Sequence, residues 1–286
     1  MPLPCEHPAQ TIEQIPRAID LLRHMDELHP KVLEEHGIEP AAYHRGLVFR
    51  SAVESIRGSY AASSTLGRQR MVGEVLDQLK QRGDIQDVQF LGQTRRHDFT
   101  VIMEPNRGRM AAIEVKGGEG NSINISTRPI WADEFLVWCH LDGAVVNQPS
   151  HGAGAIVFGR LSAEVVLRGK RVDALLIKDV LCGTPARPCP KYRQSTEMGL
   201  NTAPDVFLFP RRIPSLDDPE PPPHDMTTLK LPFQILSLYG VQPAEYDKHV
   251  WQVRIRVFTD KTGKKKRETT VYRLGKLLDK RVAAGE

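Results

Sequence analysis

Past residue 84 the apolar residues stop recurring every three or four positions and begin to alternate, and this switch constrains the fold more than any other feature. Upstream of it, "GRQRMVGEVLDQLKQRG" (67–83) sets Met71, Val75 and Leu79 on one helical face and ends on Gly83, a residue suited to closing a helix. Downstream, "DVQFLG" (87–92), "HDFTVIME" (97–104) and "MAAIEVKG" (110–117) are short runs bounded by turn residues and read as strands. "EPNRGR" between the last two suits a hairpin connection, with Asn106 and Gly108 able to take positive φ.

The segments on either side are assigned in the same way. Residues 11–36 carry Ile15, Ile19, Leu22, Met25 and Leu28 at helical spacing up to Pro30, and 41–64 continue helically. "WADEFLVWCHLD" (131–142) reads as a helix, and "VDALLIKDV" (172–180) and "DVFLFP" (205–210) as strands. "SLDDPEPPPHD" (215–225), with four prolines and four acids, is expected to be a linker or a long surface loop. After it, Trp251, Val253, Ile255 and Val257 alternate with polar residues in a β-hairpin whose tip is the basic "KTGKKKR" (261–267). The expected division is a helical region over 1–66, a core over 67–213, the proline-rich segment over 214–225 and a hairpin region over 226–286.

The chemistry starts at "AAIEVKGGEG" (111–120). Glu114 and Lys116 are two apart on a strand, so they share a face, and buried charges are costly unless paired or bound to an ion. Lys116 could simply neutralise Glu114. The preceding strand adds Asp98, 16 residues before Glu114, and antiparallel pairing through the 104–109 turn would set it beside the Glu114–Lys116 end. Two carboxylates and water suit Mg²⁺, which takes few protein ligands, and an adjacent lysine can orient the attacking water. Among the lysines of this chain only Lys116 has an acid two residues before it.

Asp98 followed by Glu114-Val115-Lys116 resembles the motif of the PD-(D/E)XK nucleases, the superfamily of restriction endonucleases and their relatives. The resemblance covers roughly residues 67–180, and His97 stands where that family usually has proline. It implies a restriction-endonuclease-like α/β (α+β) fold, a mixed β-sheet flanked by helices, with the N-terminal helices and C-terminal hairpin as additions. It implies Asp98, Glu114 and Val115 at the metal, Lys116 assisting the water, and a carboxylate from the preceding helix, Glu74 with Asp77 as the alternative.

The expected activity is then that of a Mg²⁺-dependent, sequence-specific endodeoxyribonuclease of the type II restriction class, acting on double-stranded DNA as a homodimer. Alternatives are a structure-specific repair or recombination nuclease, a DNA-binding module without activity, and a ribonuclease. Candidate nucleic-acid contacts are Arg107 and Arg109, Asn121, Ser122 and Asn124 after the motif strand, and Lys264, Lys265, Lys266 and Arg267 at the hairpin tip. Glu119 is a further acid near the motif. A net charge of +4 permits a polyanionic partner without requiring one.

Other chemistries find little purchase. Cys182 and Cys189 are too far apart for a zinc knuckle, and there is no GxSxG, P-loop or GxGxxG, so no nucleotide cofactor is expected. Cys139 reads as an ordinary buried cysteine. No apolar run reaches membrane-spanning length, and "MPLPCEHPAQ" lacks a basic n-region and an apolar h-region, so a cytoplasmic, reducing setting is expected.

Overall fold

A computed structural model describes residues 11, 13–23, 37–38, 48, 52, 65–92, 97–104, 108–117, 124–141, 153–179, 195–196, 199–200 and 203–285. The helices are α1 (Ile15–Arg23), α2 (Thr65–Gln81), α3 (Ala153–Arg168) and α4 (Leu231–Leu238). The strands are β1 (Asp87–Phe90), β2 (Phe99–Glu104), β3 (Arg109–Gly117), β4 (Glu134–Leu141), β5 (Ala174–Asp179), β6 (Ser195–Thr196), β7 (Gly199–Leu200), β8 (Asp205–Leu208), β9 (Val250–Thr259), β10 (Lys265–Arg273) and β11 (Lys276–Ala284). Nine of them make one mixed sheet in the order β1-β2-β3-β4-β5-β8-β9-β10-β11, while β6 and β7 pair separately. β1, β2 and β3 are antiparallel, β3, β4 and β5 parallel, and β5–β8 antiparallel. β8 and β9 are parallel, and β9, β10 and β11 antiparallel.

Each face of the sheet has its own core. On one, Val72, Val75 and Leu79 of α2 and Leu231 and Ile235 of α4 cover Phe99, Ile113, Trp138 and Leu176. On the other, Leu161 and Val165 of α3 cover Val137, Leu175, Phe207 and Trp251. Each large apolar side chain buried in this way contributes about 1.5–3 kcal/mol relative to exposure.

Residues 131–142, expected as a helix, contain strand β4. Phe135, Val137 and Cys139 enter one core while Leu136 and Trp138 enter the other. A central parallel strand is apolar on both sides, so its sequence carries no alternation to tell it from a buried helix. The helix between the motif strands and β5 is α3, further along the chain.

α2 ends as its sequence requires. Gly83 takes φ +76°, its N–H donates to the Lys80 carbonyl, and the Asp84 N–H reaches back to Leu79. At α4 the helix start is satisfied from the sheet. The fully buried Glu134 accepts the backbone N–H groups of Lys230 at 2.7 Å and Leu231 at 3.0 Å. Pro232 has no N–H to satisfy, and Phe233 donates to the Lys230 carbonyl. Arg109 Nη2 also donates to Glu134, at 2.7 Å, and burial pushes this carboxyl above its usual range against those bonds.

The proline-rich stretch runs across the sheet end, and the strands on either side of it, β8 and β9, are sheet neighbours. His224 holds it down: its N–H donates to the Phe209 carbonyl, and its Nε2 lies 3.1 Å from Oδ1 of the fully buried Asp173. Asp173 also accepts Arg128 Nη1 at 3.0 Å and the Phe135 N–H at 2.7 Å.

The basic hairpin is β9 and β10, closed by a turn in which Asp260 Oδ1 accepts the N–H groups of Thr262 and Lys264 and Gly263 takes φ +80°. β11 adds an edge strand, exposed almost throughout, with a bulge opposite Val271 and Tyr272. The tight turn before it places Leu274 at φ +50°. Among the described residues no helix is long and apolar enough to cross a membrane.

Candidate active site

β2 and β3 part at Asp98, and the way they part builds the site. Phe99 is the register partner of Ile113, yet the Asp98 N–H also donates to the Ile113 carbonyl at 2.9 Å, so two residues of one chain meet one of the other. The Asp98 carbonyl turns away to β1, accepting the Leu91 N–H. Its carboxylate fills the fork. Oδ2 accepts the Val115 N–H at 2.7 Å, and Oδ1 accepts Gln69 Nε2 of α2 at 2.6 Å.

Glu114, next to Val115 on β3, is 5% exposed. Its Oε2 accepts the Ser126 N–H at 2.8 Å, and its Oε1 lies 2.7 Å from Lys116 Nζ. Lys116 itself keeps about a third of its side chain open to solvent (30%). The structure thus brings Asp98, Glu114 and Lys116 to one strand end. It also contains the direct Glu114–Lys116 ion pair that plain charge neutralisation would give.

Gln69 is the residue that sequence reading overlooked. It lies on the stripe Gln69, Val72, Leu76 and Leu79 of α2, and an amide in an otherwise apolar stripe is the signal that marks it. Glu74 comes five residues later, about 140° further round the helix. It is an exposed partner of Arg70 at 3.0 Å, and Asp77 is exposed as well. His97 is buried, with Nε2 2.9 Å from Thr100 Oγ1 and its ring against Trp131.

Behind this fork the C-terminal ends of the parallel strands carry polar groups. Cys139 is fully buried beside Lys116 in the register, and burial pushes its thiol up to about 12 despite Arg68 and Lys116 nearby. His140, between Gly117 and Lys178, is pushed down to about 3, chiefly by burial and then by Lys178 and Arg68. It is therefore a neutral imidazole, and neither of its ring nitrogens has a hydrogen-bond partner among the described residues. Tyr239 of the α4 end is raised by burial and then by Glu74, and its ring lies under Lys178 Nζ at 5.5 Å.

The expected nucleic-acid contacts fall in different places. Arg107, Asn121, Ser122, Glu119, Cys182 and Cys189 lie outside the described residues. Arg109 is bound to Glu134 and the Thr228 carbonyl, and Asn124 accepts Lys170 Nζ at 2.9 Å. Lys264 and Lys265 are exposed, Lys266 is 3.7 Å from Asp260, and Arg267 is buried, with its guanidinium pulled below its usual range by desolvation.

Register locates the tip relative to the site. Glu114 is aligned with Val137, Leu175, Phe207 and Trp251 across five strands. From Trp251, β9 runs away from that row for eight residues to Thr259, about 27 Å along the strand, and the tip lies beyond it. Lys264–Arg267 therefore stand at the end of the sheet opposite Asp98 and Glu114.

Among the described residues no cluster of three histidine, cysteine, aspartate or glutamate side chains could hold a metal. The donors at the fork suit a hard cation that keeps its own waters. They are the carboxylates of Asp98 and Glu114, each oxygen with a lone pair beyond its present hydrogen bond, and the Val115 main-chain carbonyl. No protein-family model, curated protein or solved structure matches this chain.

Proposed function

We propose that the chain is a Mg²⁺-dependent endonuclease of the PD-(D/E)XK class that cuts double-stranded DNA, as type II restriction enzymes do. One observation carries the reading. The carboxylate of Asp98 is held at the β2–β3 fork against Val115, flanked by the Glu114–Lys116 pair, although these residues are 16 to 18 positions apart in the chain.

Asp98, Glu114 and the Val115 carbonyl would hold the ion. Bound there, Mg²⁺ supplies Lewis-acid polarisation of the phosphate and acidifies water. Gln69 fixes the orientation of Asp98 through Oδ1, leaving the second lone pairs of the carboxylate for ligation. Lys116, partly exposed, brings a positive charge to the place where negative charge develops on the phosphate. Cutting both strands of a duplex calls for two such sites, so a homodimer accompanies the proposal.

The test is digestion of a long double-stranded DNA in Mg²⁺, beside EDTA and Glu114→Ala controls. Discrete fragments lost in both controls are expected. A smear would retain the nuclease and remove sequence specificity, and no cleavage at any Mg²⁺ concentration would refute the proposal. Sedimentation with and without DNA checks the dimer.

A further inference from the structure

From Gln252 onward, the β9–β11 face on the α2/α4 side of the sheet is exposed at Arg256, Lys280 and Val282 and partly exposed around them, with Thr270 buried at its centre. Arg254 and Arg256 point out of it, with Phe258, Tyr272, Glu268, Lys266 and Lys280 on the same side by register. Each arginine lies on a ring: Arg254 is 4.7 Å above the Tyr272 centroid and Arg256 is 5.6 Å from that of Phe258.

Among the described residues these two arginines lack an acidic partner. Elsewhere on the sheet and its loops arginines meet carboxylates, as in Arg109–Glu134, Arg128–Asp173, Arg212–Asp218 and Arg281–Asp279. Among the described residues neither Arg254 nor Arg256 has a carboxylate, and Arg254 Nε is buried without a hydrogen-bond partner. Glu268 sits directly opposite Arg256 in the register but binds Lys280 at 2.6 Å instead. Four cations on this face thus stand against Glu268 and the nearby Asp260 alone.

Stacking a guanidinium on a ring fixes its plane and leaves its N–H edge free to donate in pairs to phosphate oxygens. Residues two apart on a strand are about 6.8 Å apart, close to the separation of neighbouring phosphates along one strand of a duplex. The rings are occupied by the arginines, so the face is built to take a backbone more than to stack bases.

We infer that the exposed β9–β11 face, through Arg254 and Arg256, is a docking surface for the phosphate backbone of duplex DNA. This rests on the nuclease reading for the identity of the polyanion and adds to it where the duplex is held. Four strand spacings separate β3 from β9, so Arg254 lies roughly 20 Å from Glu114 across the sheet, and by register the Glu114 side chain is on the opposite face, so a duplex held here meets the site around the strand ends. Lys264 and Lys265 of the hairpin tip take no part.

The experiment measures binding of a short fluorescent DNA duplex in EDTA, over a range of salt, so that cleavage plays no role. Arg254→Ala/Arg256→Ala should weaken binding about tenfold and flatten the plot of log affinity against log salt by about 1.8, two contacts' worth. Arg254→Lys/Arg256→Lys should keep most of that slope, and Lys264→Ala/Lys265→Ala should leave it as in the parent. Thermal midpoints matched to the parent show that the variants are folded.

An unchanged slope in the double alanine variant would overturn the inference, and so would a parent that binds no duplex. Displacement of the duplex by polyglutamate at equal charge would also overturn it, in favour of an acidic polypeptide. Binding that depends on Arg254 and Arg256, without cleavage, would sink the nuclease reading and leave this one standing. Cleavage with binding that does not depend on them would do the reverse.

Discussion

Replacing Glu134 by alanine and, separately, by glutamine tests how far one buried carboxylate holds α4 on the sheet. The side chain is fully buried and accepts three bonds, from two backbone N–H groups at the helix start and from Arg109. Alanine leaves two buried donors without acceptors, at about 1 kcal/mol each as for other lost caps, and removes the partner of a cation. Breaking a fully buried ion pair costs about 3–5 kcal/mol, but Arg109 is a third exposed (33%) and keeps the Thr228 carbonyl, so its share falls to about 1 kcal/mol. The expected loss is about 3 kcal/mol for alanine and about 1 kcal/mol for glutamine, whose oxygen can still accept one N–H. For a chain of this size the alanine variant should melt about 6–12 °C below the parent, read by circular dichroism or calorimetry. The pH series gives an independent check. Glu134 has a raised pKa in the fold, so its contribution is fully present below the unfolded value of about 4.3 and declines as pH rises through the folded value. The glutamine variant, with nothing to titrate, should therefore gain on the parent over that window. Equal losses for alanine and glutamine would refute the capping argument.

Three other outcomes follow from groups described above. His140, neutral down to about pH 3 in the fold, takes up a proton near 6.5 only on unfolding, so acid should erode stability as pH falls below about 6.5. His140→Leu should flatten that limb in urea midpoints measured from pH 7 to 4, and a parallel curve would rule the account out. The buried Cys139 thiol, held up to about 12, should resist alkylation in the native protein and react only with unfolding, as followed by mass spectrometry of its peptide. Leu274, exposed and at φ +50° beside Gly275 at φ +73°, occupies a turn position that asparagine adopts with less strain. Leu274→Asn should raise stability by about 0.5–1 kcal/mol, and a lower melting point would show that the leucine makes a contact of its own.

The site was legible in the sequence where local rules suffice. Alternation in 97–104 and 110–117 and a short turn between them were enough to bring Asp98 to Glu114, because antiparallel neighbours in sequence have little choice of register. The bulge that aims Asp98 into the fork was not legible, since nothing in "RRHDF" marks where two strands separate. Residues 131–142 misled because an interior strand and a buried helix are both apolar throughout. The position of the basic tip depends on the parallel pairing of β8 with β9, two segments separated by the proline-rich stretch and α4, and periodicity holds no information about such a contact. The alternation that placed Arg254 and Arg256 on one side of β9 was visible, but that α2 and α4 leave this side bare was not.

β11 has a consequence for how the protein behaves at high concentration. Leu277, Leu278 and Val282 are half-exposed along an outer strand, and an open edge of this kind invites the same strand of another molecule. The antiparallel alignment that would lay Leu278 on Val282 of the neighbour also lays Lys280 on Lys280, since both pairs are symmetric about that residue. Two ammonium groups would meet at the centre of any such contact. That repulsion, tempered by the Glu268 carboxylate that each Lys280 binds, opposes the two-fold contact, and salt that screens it, or acetylation that neutralises it, would lower the barrier to dimers joined through β11.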